Sequence, residues 1–194
     1  MAGGDGRPGS GGDALSALLA VLAVALAWTG GSLVALSDGR RGLALGLLLA
    51  ASAIGLAQNP VQTAAQIGLI VGLGVAGAGL LLLQGPTGWG TLAAGSTPRL
   101  IASLGALFVP LAFWAYALSR LGGPALLCGL LIATTGAIRV LSAGSRAPAL
   151  AGLALLALGA GAMAGSPWVF YGGLAAGLVL LPSPVPIWGR PSED

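Results

Sequence analysis

Four carboxamide side chains, Gln58, Asn59, Gln62 and Gln66, lie within nine consecutive positions of a chain whose surroundings there are almost wholly apolar. A carboxamide both donates and accepts hydrogen bonds. Gln62 and Gln66 stand four apart, so on a helix they share one face. Two roles suit such a group. It can hold a polar head group, a quinone ring or a neutral solute, or it can bond across helices and cap a hairpin at about 1 kcal/mol per bond. The packing role is the primary expectation and the ligand role the alternative.

Pro110 is the one proline well inside an apolar segment. It removes the bond to the Ala106 carbonyl and should kink the helix near Phe108, Phe113 and Trp114. Arg139 lies two residues from the end of its segment and is expected to snorkel to the nearer membrane surface. The long connection from Gly85 to Arg99 carries Trp89, which suits head-group depth. Asn59-Pro60-Val61 resembles the Asn-Pro-Val helix start in the J subunit of proton-pumping NADH dehydrogenases; it spans three residues, and no function is carried over from it.

Most reaction chemistries lack their residues. The chain has no histidine, and all eight of its basic residues are arginine. Histidine general-base catalysis, a Ser-His-Asp triad and histidine ligation of haem are therefore impossible within the chain. A phosphate-cradling glycine loop would end in lysine, which is missing. Asp38 is the sole acidic residue between Asp13 and Glu193, so no carboxylate pair is available, and Cys128 has no cysteine to bridge. No cofactor, metal site or catalytic residue is expected. A net charge of +3 on scattered arginines lacks the clustered footprint of nucleic-acid binding.

The elements that must position these residues are long and uncharged. Between Arg41 and Arg99 run 57 residues without a charge, and between Arg146 and Arg190 another 43. Only 7% of the chain is charged, against about 25% in a soluble domain. Seven apolar segments follow: 14–36, 42–57, 61–83, 100–118, 125–141, 149–164 and 168–181. A hydrocarbon core of about 30 Å needs about 20 helical residues. Pro60, Pro124, Pro148 and Pro167 fall at segment starts, where a missing N–H costs nothing. Ser37-Asp38-Gly39, Gln58-Asn59-Pro60 and Gly122-Gly123-Pro124 suit tight reversals.

The expected fold is thus all-α, an integral membrane bundle of about seven transmembrane helices; the alternative is six helices with a re-entrant C-terminal hairpin. Seven crossings place six arginines (Arg40, Arg41, Arg99, Arg139, Arg146, Arg190) on one side and two (Arg7, Arg120) on the other, whereas six crossings give five against three. The positive-inside rule then sets the N-terminus outside and the C-terminus in the cytoplasm of the cell membrane. Residues 1–13 read as a disordered tail, 14–188 as the membrane domain and 189–194 as a short cytoplasmic tail.

Without a hydrophobic force between helices in lipid, close backbone approach does the packing. The pairs Gly42/Gly46, Gly68/Gly72, Gly161/Gly165 and Gly173/Gly177 are suited to it, and the third segment, with five glycines, is expected to be central. The expected function is a non-catalytic subunit or accessory protein of a larger membrane assembly, partnered by lipid and by other subunits or itself. The alternative is a transporter or channel for a small neutral or apolar solute.

Overall fold

The computed structural model describes residues 10–58, 64–84 and 123–180, together with Thr97, Ile101, Leu104, Gly105 and Phe108. Six helices lie within these ranges: α1 (Ser10–Leu36), α2 (Arg40–Ala57), α3 (Ala64–Gln84), α4 (Gly123–Leu141), α5 (Arg146–Ala164) and α6 (Ser166–Leu180). Among the described residues the fold is all-helical. Four helices, α1, α2, α4 and α5, are long and apolar enough to cross a membrane. The expected fourth segment falls mostly outside the described residues. Its four described positions, Ile101, Leu104, Gly105 and Phe108, are helical and exposed.

The helix boundaries follow local chemistry. Pro124, Pro148 and Pro167 each sit in the first turn of their helices, α4, α5 and α6. The first helix begins at Ser10, four residues before its apolar run, with Asp13 placed favourably against the positive end of the helix dipole. Arg40 and Arg41 open α2, and Arg146 opens α5, because charge ends an apolar run without ending a helix. Gly165 alone joins α5 to α6, at φ 95° and ψ −176°, a conformation that needs glycine. The 15 residues of α6 reach only about 22 Å.

The helices form two rows of three. In the first row α1 packs on α2 and α2 on α3; in the second α4 packs on α5 and α5 on α6. Each helix also touches its counterpart, α1 on α4, α2 on α5 and α3 on α6. Gly31 lies against Thr135 and Asp38 against Arg139, while Ile70 lies near Gly173 and Gly77 against Leu180, so these counterparts run in the same direction. The helix ends therefore sort into two groups. One end of the bundle holds Asp38, Arg40, Arg41, Arg139 and Arg146; the other holds the start of α1, Gln58, Pro124, Trp168 and Tyr171.

Glycine brings the backbones together where antiparallel neighbours cross. A Cβ on Gly30 would lie 2.7 Å from the Gly46 carbonyl oxygen and 2.8 Å from the Ala50 nitrogen. A Cβ on Gly136 would lie 2.7 Å from the Gly152 oxygen and 2.8 Å from the Leu156 nitrogen. These contacts are the same contact, since Gly136, Gly152 and Leu156 stand 106 positions after Gly30, Gly46 and Ala50. Val34 and Val140, which press on Gly46 and Gly152, are also 106 apart. Ten of the 29 residues from Ala27 to Gly55 are identical to those 106 positions later. In the third helix of each row the register slips by one, pairing Gly68 and Gly72 with Gly173 and Gly177. The two rows are an internal repeat.

Among the described helices the central one is α2 rather than the third segment, α3. Among the described helices α3 packs mainly on α2 and α6, whereas α2 touches α1, α3, α4 and α5 and buries eleven of its 18 residues. The reason is circumferential. Ala and Gly surround α2 and admit a neighbour on every side, while Gly68, Gly72 and Gly79 of α3 have nothing within 4 Å among the described residues.

Candidate functional site

At the arginine-bearing end the parallel course of α1 and α4 brings residues about a hundred positions apart into contact. Arg139, in the last turn of α4, is completely buried. Its Nη2 donates to the Ser37 carbonyl oxygen at 2.9 Å and to Asp38 Oδ1 at 2.5 Å. The expected snorkelling to the surface is thereby corrected. The side chain stays inside because Ser37-Asp38-Gly39 crosses above it and supplies a carbonyl and a carboxylate at that depth. Burial of a guanidinium is costly unless it is paired, and the pairing is incomplete. Arg139 Nε and Nη1, like Trp28 Nε1, are buried without a hydrogen-bond partner among the described residues.

One turn deeper, Thr135 Oγ1 donates to the Leu131 carbonyl at 2.6 Å, a bond back onto its own helix. Its oxygen would be 3.0 Å from a Cβ on Gly31, so glycine is what lets α1 approach here. The pair Arg139–Asp38 and the close pass Gly31–Thr135 together join the two rows. This arrangement can fasten one row to the other.

The opposite end is open. A cavity of about 510 Å³ lies between the start of α1, the end of α2 and the starts of α3 and α4. Its lining is mainly apolar, with Leu15, Leu19, Leu56 and Ile67, and Gln58 is its amide. Gln58 caps α2 in an extended conformation, its backbone N–H donating to the Ile54 carbonyl at 3.2 Å. Its side chain makes no hydrogen bond among the described residues. Gln66 is half-buried in the first turn of α3. Asn59, Gln62 and Pro110 lie outside the described residues, as does Trp89.

Sequence reasoning found the amide that edges the cavity and missed the row-joining pair. A signal was present: Asp38 is the one acidic residue in the apolar region, and Arg139 is an arginine set inside a helix rather than beyond it. Among the described residues no cluster of metal-ligating side chains occurs. No family model matches the chain, and neither a curated protein nor a solved structure does.

Proposed function

We propose that the chain is a non-catalytic subunit or accessory protein of a larger membrane assembly, a multi-pass bundle of seven crossings in the cell membrane. The observation that carries this reading is the tight seam midway between the rows. Between the rows, the space bounded by Leu47, Leu73, Gly74, Leu158, Ala176, Gly177 and Leu180 is about 10 Å³, whereas a single water needs roughly 10–15 Å³. A bundle whose rows are joined there by leucine side chains seated on glycine, Leu73 on Gly177 and Leu180 on Gly77, offers others a firm surface to pack against. The course of the chain supports a seventh crossing, because α3 ends at the arginine-bearing end and α4 begins at the other. The shared end of Arg40, Arg41, Arg139 and Arg146 supports a cytoplasmic placement of that end under the positive-inside rule.

A second reading, binding or transport of a small neutral or apolar solute, draws on the cavity beside Gln58. Its volume falls in the range of about 300–1,000 Å³ usual for ligand sites. Purification from native membranes in mild detergent separates the two. A subunit is unstable alone and rescued by one co-purifying protein. A carrier is stable and monodisperse alone and gains thermal stability on adding its solute, and that result would displace the first reading.

A further inference from the structure

The repeat carries a consequence for the outside of the bundle. The two rows meet through different faces. The second row uses Thr135 of α4 and Gly173 and Gly177 of α6; the first uses Gly31 of α1 and Leu73 of α3, whose side-chain carbons lie 3.3 Å and 2.7 Å from a Cβ on Gly173 and Gly177. Because the rows repeat one another, each face has an equivalent on the opposite, outward side. The equivalents of Thr135, Gly173 and Gly177 are Thr29, Gly68 and Gly72, all exposed, the two glycines with nothing within 4 Å among the described residues. The equivalent of Leu73 is Leu178, 59% exposed.

We propose that a second copy of this chain docks there, continuing the row-to-row interface from one molecule to the next: Leu178 of one copy enters the space above Gly68 and Gly72 of its neighbour, as Leu73 enters that above Gly173 and Gly177. The two faces differ, so the contact is head-to-tail and generates a ring or an open row. It is a lateral contact between parallel helices at one depth, and it rests on reading the bundle as membrane-spanning. Small residues that admit a neighbour's side chain are what holds helices together in lipid. Two differences between the repeats set this contact apart from the internal one. Leu33 stands where the second row has Arg139, and Gly144 where the first has Asp38. The contact between copies therefore lacks the ion pair, which makes it the weaker and the reversible one.

Cysteine cross-linking of the full-length chain in native membranes tests this. Cys128 is fully buried and can remain. The intramolecular pair Leu73→Cys with Gly177→Cys serves as the geometric control and should oxidise within one chain. Two differently tagged chains, one Gly72→Cys and the other Leu178→Cys, should form a mixed dimer when co-expressed, and neither variant should dimerise alone. Adding Gly68→Leu to the first chain should reduce the mixed dimer at least fivefold. If the control forms and the mixed dimer does not, the proposal is wrong. It is equally wrong if either single variant dimerises as strongly alone, because that is a two-fold contact. Recovery of the chain outside the membrane fraction would instead overturn the membrane reading on which the proposal stands.

Discussion

Removing Asp38 should cost far more than removing Arg139. The two partners are unequally placed: the Arg139 side chain is 0% exposed and that of Asp38 is 42% exposed. Asp38→Ala leaves a buried guanidinium with the Ser37 carbonyl as its only described acceptor, and breaking a buried pair this way costs about 3–5 kcal/mol. Arg139→Met removes the buried charge together with the two nitrogens that already lack partners. It leaves a carboxylate that water reaches and gives up one bond to Ser37, worth about 1 kcal/mol. An apolar residue of similar volume replacing a buried ion is often neutral or stabilising, so this variant should lie within about 1 kcal/mol of the parent. The double variant should resemble Arg139→Met, giving a coupling as large as the Asp38→Ala loss, about 3–5 kcal/mol, well beyond the ~0.5 kcal/mol within which independent sites add. Reversible unfolding in mixed micelles, followed by tryptophan fluorescence, gives all three values. Equal losses in the two single variants, or additivity in the double, would refute the argument that the cost comes from the stranded guanidinium.

The same assay reads the repeat: Gly30→Ala and Gly136→Ala should each lose about 1–3 kcal/mol, because the new carbon meets backbone atoms that must move. Gly79→Ala, with nothing within 4 Å, should gain up to about 1 kcal/mol from helix propensity. Gly165→Ala should cost about 1–3 kcal/mol through its positive φ alone, while Gly144→Ala, also in open space, should be silent in thermal melts. Ala20→Phe projects a ring into the cavity beside Gln58. If an apolar molecule is held there, mass spectrometry of the purified protein should show at least a tenfold drop in its retention without a change in melting temperature.

Helix placement was legible because its signals are local. Proline at a first turn and an uncharged run can be read one segment at a time, and α4, α5 and α6 start within about three residues of where these signs put them. The start of α5 at Arg146 was misplaced for a local reason too: an arginine at a helix end turns its side chain away while the backbone stays helical. The burial of Arg139 was illegible, since its acceptors are about a hundred positions away and only the parallel course of α1 and α4 joins them. The cavity is made by four helix ends, none of which is distinctive alone. The repeat was written in the sequence and still hidden there. In a chain with 35 glycines, and alanine and leucine besides, matches at any offset are frequent, and only the shared contacts of Gly30 and Gly136 select the offset of 106.

The repeat also sorts residues by role without any second sequence. Residues kept in both rows, such as Gly30 and Gly136, Gly46 and Gly152, and Arg40 and Arg146, are those a three-helix unit needs: close crossings, and a cation at the start of the middle helix. Polar residues found once cannot be explained that way. Asp38 faces Gly144 in the alignment of the rows, Arg139 faces Leu33, and Gln58 faces Ala164. The first two form the ion pair that fixes one row on the other, which accounts for their being single, because a joint between two units has one half on each. Gln58 takes no part in that joint. Its counterpart Ala164 closes α5 with no polar side chain, so the helix end does not demand an amide. What remains specific to Gln58 is the cavity it edges, and that is the ground on which the second reading, a bound neutral or apolar molecule, rests.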